Sequence, residues 1–311
     1  MNYDSAPNLI LVKTALDKIR DQEMLQTARE GKAIATDSII FTQDTATNAA
    51  VVTTVIGGGG YFAKRLDDMG PNVSANVKAP APKTTLIAQF DKNVPVSKNF
   101  MADQQHSAVA KSIRQQTRTW AATRDRNAFN VFSLGFTTQL TIDGVPLFSN
   151  SHVNENGDVV DNLETGALAD STLNTTVVSL RNQLAQTGVK VGYEPDFLLT
   201  SNLNHKNACA VAKSVLRSGT GNNDQNYFSE YYPGMIVKYN AFLDDTSTTA
   251  YFVGARDHGV IRFEREGFSS ELVDWKISAA TGGPDAYQYL MRAREEVDSI
   301  EYSGLVGSTG L

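Results

Sequence analysis

Residues 34–100 constrain what this chain can fold into more than any other stretch. Two runs, 49–56 and 84–90, are rich in Thr and Val and read as β-strands. Between them stand the glycines 57–60, Met69-Gly-Pro71 and Ala79-Pro-Ala-Pro82, all of which break regular structure. Two strands around a polar, Gly/Pro-punctuated middle make a long extended excursion with little core of its own. Such an arm makes sense if it lies on a neighbouring subunit.

The flanking segments are helical. Residues 8–30 place Leu9, Val12, Leu16, Ile19 and Leu25 near helical spacing, with Gly31 as a stop. Residues 101–134 form the longest helix candidate, with Val109, Ile113, Trp120 and Val131 near one face and Gly135 at its end. Its polar face is basic: Lys111, Arg114, Arg118, Arg124 and Arg126 stand against Asp103 and Asp125. A solvated or salt-bridged face is the ordinary explanation of that pattern, and a nucleic-acid contact is the functional one.

A further helix is expected over 171–187, with a stripe of Leu173, Val177, Leu180 and Leu184, a cap at Asp170 or Ser171, and Gly188 as terminator. Residues 197–200 read as a short buried strand and 204–216 as a helix, followed by a polar loop over 217–226. Strands are expected at 235–239, 250–253, 259–264, 272–278 and 287–300. Helices and strands fall in separate blocks, which argues an α+β fold rather than a βαβ sheet.

Hydrophobic residues at 41% and charged residues at 20% describe an ordered chain, and its 311 residues suffice for one large or two modest domains. A net charge of −6 excludes nucleic-acid binding by bulk electrostatics and leaves only local basic strips. Cys209 is the sole cysteine, so neither an intrachain disulfide nor a cysteine-based zinc site can form. With no signal-peptide pattern and no membrane-length apolar run, a soluble intracellular protein without membrane contact is expected.

The segment Leu140-Thr-Ile-Asp-Gly-Val-Pro-Leu-Phe-Ser-Asn-Ser-His152 crowds two serines, an aspartate and a histidine together. One reading is a serine hydrolase using Ser149 or Ser151 with His152. The nucleophile-elbow pattern is absent, however, and adjacent strand residues Ser151 and His152 would face opposite sides. His106, His205 and His258 are scattered without a partner motif. A turn in which Ser and Asn bond local backbone explains the segment better.

Other candidate chemistries fall short too. His152, Asn154, Asn156 and Gly157 echo a calcium loop, but the first ligand is not a carboxylate, the closing position holds Leu163, and Glu164 comes one residue late. The glycines at 57–60 lack the lysine and hydroxyl that a phosphate loop needs. Trp120 and Trp275 read as core anchors. No catalytic residue, metal site or cofactor is expected.

The segment Asp143-Gly-Val-Pro-Leu-Phe-Ser149 with His152 resembles the major head subunits of Mu-type tailed phages. Pro195-Asp-Phe-Leu-Leu-Thr-Ser201, Arg262-Phe-Glu-Arg-Glu-Gly-Phe268 and residues 286–299 are similar, in order, to stretches of the same family of Hong Kong 97-type capsid proteins. The resemblance implies an N-terminal arm (1–35), an extended β-hairpin loop (36–98), and a peripheral domain with spine helix and connection (99–164). An axial domain (165–253) and returning peripheral strands (254–311) would follow.

What the resemblance implies is a non-enzymatic major capsid protein. It would self-assemble through pentamers and hexamers into an icosahedral shell around double-stranded DNA, built in the host cytoplasm and carried in the virion. A portal and a scaffolding protein are expected partners, and a decoration protein is a further candidate. No long acidic N-terminal extension precedes the arm, so a scaffold would be separate or dispensed with. An encapsulin-type nanocompartment shell is the alternative on the same fold. Lys64, Lys78 and Lys83 lie in the extended loop, but no acceptor asparagine can be assigned and no cross-link is expected. Arg114, Arg118 and Arg124 are the candidate DNA-facing residues, and Tyr61, Phe62, Phe148 and His152 the candidate subunit contacts.

Overall fold

The computed structural model describes residues 6–29, 35, 37–58, 60–61, 77–79, 81–97, 106–217, 224–274 and 286–311. Its largest element is a pair of long antiparallel strands, β13 (Val260–Val273) and β14 (Ala286–Ser299). β6 (Ala88–Ser97) pairs antiparallel with the free edge of β14, and β1 (Thr42–Thr45) runs parallel to β13, giving the order β1-β13-β14-β6. The sequence leads one to expect a break after Glu264, yet β13 runs through. The register shifts twice between Glu264 and Ser269, so the strand absorbs unpaired residues as bulges instead of stopping.

Two helices cover this sheet. α1 (Ala6–Arg29) packs on α2 (His106–Ser133), the long helix expected from the sequence. Leu16 of α1 and Val109 and Ile113 of α2 are buried with Val94, Val96, Tyr287, Tyr289 and Met291 of the strands below. Polar bonds reinforce the docking of α1: Asp17 accepts from the Tyr289 hydroxyl at 2.8 Å, and Arg20 donates to Ser270 at 2.7 Å. Leu25 is exposed although the helical stripe includes it.

A second sheet has the order β11-β10-β12-β15-β9 and is built from β9 (Leu163–Glu164), β10 (Phe197–Ser201), β11 (Ile236–Asn240), β12 (Tyr251–Gly254) and β15 (Leu305–Ser308). Helix α3 (Asp170–Asn182) lays Leu173, Val177 and Leu180 against Leu198, Val253 and Val306, the side of the helix that its i, i+3, i+4 pattern predicts. α4 (His205–Ala212) and α5 (Tyr227–Tyr231) add Ala208, Val211 and Phe228. The sequence pattern does not predict α5; its N-cap is Asn226, whose side chain accepts from the Phe228 N–H at 3.0 Å.

The end of the chain crosses the boundary expected at residue 254. β13 and β14 stay in the four-stranded sheet, but β15 inserts between β12 and β9 of the five-stranded one. Its residues 305–308 are all buried, and pairing on both edges is what a short strand needs to satisfy its backbone there.

Between the sheets lies a phenylalanine-rich core. Phe129 and Phe132 of α2 meet Phe41, Phe148, Phe197 and Phe252. Ring centroids are 5.3 Å apart for Phe132 and Phe252 and 5.1 Å for Phe148 and Phe252.

The excursion leaves the four-stranded sheet as a two-stranded ribbon. β2 (Ala50–Thr53) pairs antiparallel with β5 (Lys83–Leu86), and beyond them β3 (Gly57–Gly58) pairs with β4 (Val77–Lys78). The period-2 alternation sends Val51, Val55 and Ile87 inward onto Ala46, Phe263 and Ile300. Val52, Ile56 and Leu86 point the other way and are 62%, 65% and 72% exposed.

Candidate functional site

The segment 140–152 is a tight turn docked between the two sheets. Thr141 N–H donates to Val145 O at 2.9 Å and Gly144 N–H to Thr141 O at 3.0 Å, with Gly144 at φ +77°, where glycine carries no Cβ penalty. This turn aims Asp143 at His152, and Oδ2 lies 2.7 Å from Nδ1. Burial alone would raise the Asp143 pKa. Hydrogen bonds from His152, Thr141 and the Val145 N–H outweigh it and hold the carboxyl below its ordinary range.

His152 is fully buried, stacked on Tyr302 with centroids 4.5 Å apart, and its Nε2 lies 3.2 Å from Leu147 O. Both ring nitrogens thus face acceptors within the subunit. Ser149 and Ser151 bond each other, Oγ to Oγ at 2.9 Å. No serine hydroxyl has the imidazole as its base, so the arrangement does not assemble a hydrolytic triad.

Asn162, which no sequence motif singles out, is the second anchor. Its Oδ1 accepts from Ser149 N–H and its Nδ2 donates to Leu147 O, both at 2.8 Å. It is fully buried, and its own carbonyl accepts from Gly307 N–H of β15 at 3.0 Å. Nothing in the local sequence marks it, since its partners lie 13 and 15 residues away and on β15.

The expected subunit contacts divide accordingly. Phe148 and His152 are corrected by the structure: both are buried inside the subunit, Phe148 in the aromatic core and His152 under Tyr302, so neither is presented to a neighbour. Tyr61 is 67% exposed, and its hydroxyl accepts from the Lys190 N–H at 3.0 Å. Phe62, Lys64 and Trp275 lie outside the described residues. Trp120 is buried, stacked on Phe268 at 5.3 Å.

The calcium-like loop joins the antiparallel pair β7 (His152–Val153) and β8 (Val159–Val160) and is closed by its own atoms. Asn154 Oδ1 accepts from the N–H groups of Asn156 and Asp158 at 3.0 and 2.9 Å, which leaves the loop knitted as an Asn-centred turn.

The basic helix face also divides. At about 100° per residue, Lys111, Arg114, Arg118 and Arg126 share one side of α2 and Arg124 falls opposite, toward the sheet. Arg124 donates to Glu295 of β14 at 3.0 Å and packs over Trp120 at 5.8 Å, so it belongs to the interior and is withdrawn as a DNA-facing residue. Arg118 is exposed but bonds the buried Glu23 of α1. Lys111, Arg114 and Arg126 are exposed and form no ion pair among the described residues.

What the geometry can do is mechanical rather than catalytic. It offers a two-sheet body, a ribbon with an uncovered apolar face, and an exposed row of cations. The same architecture occurs in solved shells. A procapsid of bacteriophage JBD30 is similar with a TM-score of 0.53 at 16% identity, covering 98% of this chain and 75% of that one. A virus-like particle from Pyrococcus furiosus gives 0.54 at 9% identity over 94% and 98% of the two chains. The capsid of cyanophage P-SCSP1u gives 0.52 at 11% identity, with 86% of each chain covered. No curated protein matches the chain in sequence.

The fold is therefore that of the shell-building subunits of tailed-phage capsids, the Hong Kong 97 type. Residues 80–304 match the model of the phage capsid protein family, and the chain belongs to that family. It is a structural component of the virion capsid, not an enzyme.

Proposed function

We propose that this chain is the major head subunit of a tailed bacteriophage, nearest in kind to the Mu-type head subunits. Copies of it close through pentamers and hexamers into an icosahedral shell around double-stranded DNA. The observation that carries the reading is the ribbon. Val52, Ile56 and Leu86 stay in water on a strand pair too thin to bury them, so covering them by another copy releases hydrophobic free energy that the monomer cannot reach. Many such contacts, each modest, hold a shell through multivalency.

Under this reading residues 1–35 act as the arm, 36–98 as the extended loop, 99–164 and 254–304 as the peripheral domain, and 165–253 with β15 as the axial domain. The kinship to Mu-type subunits rests on Asp143, Phe148 and His152, which here serve the subunit's own interior. The row Lys111, Arg114, Arg118 and Arg126 is the best candidate for sequence-independent contact with packaged DNA, because phosphate binding needs only exposed cations. A portal and a scaffolding protein complete the expected assembly, with a decoration protein as a further partner.

Electron microscopy of the purified chain tests this. Closed icosahedral particles, or rings of five and six subunits, are expected. A stable monomer under all conditions, even with a scaffolding protein co-expressed, would overturn the proposal. Particles that enclose protein cargo instead of DNA would mean a nanocompartment.

A further inference from the structure

The ribbon is held very differently at its two ends. At the root, Lys83 and Thr85 are tied into the buried edge of β14 through Asp298. At the outer end of the described ribbon, β3 and β4 lie on two loops of the same subunit, 154–157 and 186–190. Gly58 N–H donates to Gln186 O at 3.1 Å and Gly60 N–H to Thr187 O at 3.3 Å. Lys190 N–H donates to the Tyr61 hydroxyl at 3.0 Å, and Lys78 Nζ to Glu155 O at 2.7 Å. Asn156 Nδ2 bonds Thr187 O at 3.3 Å, which joins the two loops into one seat.

The fit of β3 in this seat is close. A Cβ on Gly57 would overlap the Glu155 side chain and come within 2.7 Å of Gln186 O, so only glycine lets the backbone lie this near. Yet the apolar side chains around it do not seal the contact: Ile56 and Tyr61 beside it are exposed, as is Val191 of the loop. The Gly58–Gln186 bond joins two buried residues, whereas Gly60, Tyr61, Lys78 and Lys190 are exposed, so water competes with the bonds they make. A firm root, an uncovered shaft and a shape-matched seat that water reaches in part together describe a strap.

We propose that the seat formed by 154–157 and 186–190 latches β3 and β4 onto their own subunit before assembly, and that these strands must leave this seat for the ribbon to reach a second copy. The idea rests on the shell-subunit reading above. The latch keeps the ribbon drawn in, so the apolar face of Val52, Ile56 and Leu86 is presented only in the folded-back position. Opening costs the seat's hydrogen bonds, and burial of that face by a neighbour offsets the loss. Free subunits would then be restrained from premature association.

Two variants of the full chain test the latch: Gly57→Val, which cannot seat, and Lys78→Ala, which removes one bond without adding bulk. Hydrogen exchange on the free subunit should show the Gly58, Gly60 and Lys190 amides exchanging about tenfold faster in both variants. Amides of β13 and β14 should be unchanged. Shell formation, followed by light scattering, should begin at a several-fold lower subunit concentration than in the wild type. Unchanged exchange at the three amides overturns the proposal, as does faster exchange with an equal or higher assembly threshold. If the wild type forms no shell at all, the shell reading fails, and the exchange measurement alone decides whether the latch exists.

Discussion

Lys83 at the start of β5 sets its Nζ 2.6 Å from Oδ1 of Asp298 on β14. The same ammonium donates to the carbonyls of Ser299 at 2.6 Å and Leu140 at 2.7 Å, so its three protons are all in use. Thr85, Gln139 and the Ser299 N–H also donate to Asp298, at 2.5, 2.7 and 2.8 Å. One ion pair thus joins the ribbon root, the four-stranded sheet and the first residue of the 140–152 turn.

Replacing Lys83 with Met should therefore cost more than a surface charge would. Asp298 keeps Thr85 and Gln139 but loses its counter-ion in a largely buried position, which puts the loss at about 2–4 kcal/mol. Urea unfolding of K83M measures it, and the double variant K83M/D298L should recover part of the loss. A midpoint unchanged from wild type would mean that the pair contributes nothing.

His152→Leu should destabilise the subunit by about 2–4 kcal/mol, because Asp143 is left half-buried with only Thr141 and Val145 as donors. Ser149→Ala and Ser151→Ala should each stay within about 0.5 kcal/mol and leave shell formation intact. Thermal melts and electron microscopy of the three variants separate a structural histidine from a catalytic one.

Phe148→Ala removes the ring that meets Phe132, Phe136 and Phe252, and should cost about 3–5 kcal/mol. If Phe148 acted at a subunit interface instead, the free subunit would melt normally and only assembly would fail.

Neutralising Lys111, Arg114 and Arg126 to Gln should leave the melting temperature nearly unchanged while weakening binding to duplex DNA. The slope of log K against log salt should fall by about one for each phosphate that no longer meets a cation. Arg124→Ala should do the reverse, lowering stability by leaving buried Glu295 with Arg262 alone, without changing that slope.

His258 sets an acid limit. Burial depresses its pKa to about 4, despite the bond to Ile39 O and the nearby Asp257 charge, both of which favour the charged ring. The folded state binds this proton less readily than the unfolded chain, where the pKa is near 6.5. Its contribution is intact above about pH 6.5 and is lost as the pH falls toward 4, by about 3 kcal/mol in all. His258→Gln should flatten the stability profile in that window, as unfolding midpoints across pH 4–7 will show. The shift at Asp143 acts lower, since a depressed carboxyl loses its contribution only as the pH falls below the usual carboxylate range.

Much of the architecture is legible from local pattern. The stripe Leu173, Val177, Leu180 locates α3, the Val-rich and Gly/Pro-broken excursion locates the ribbon, and the charge and apolar periods of 101–134 locate α2. Less is legible where pairing partners lie far apart. β13 runs on past Glu264 because β14 offers it a partner for its full length, and α5 forms because Asn226 caps it and Phe228 has a core to enter. At the site, the Asp143–Thr141 turn is a short-range motif, but Asn162, Tyr302 and Asp298 reach it from distant positions without any marking of their own.

The sequence by itself determined the α+β class and the places of α2, α3 and the ribbon, because periodicity, turn residues and spacing are properties of neighbours along the chain. Only the tertiary structure decided which side chains are offered to other molecules. Arg124 and Arg118 are alike as letters, yet Arg124 sits on Glu295 and Arg118 at the surface, since six residues turn a helix by well over half a circle beyond one full turn. His152 and Phe148 likewise went inward, and Val52 and Leu86 stayed out, because burial is settled by what packs against each face.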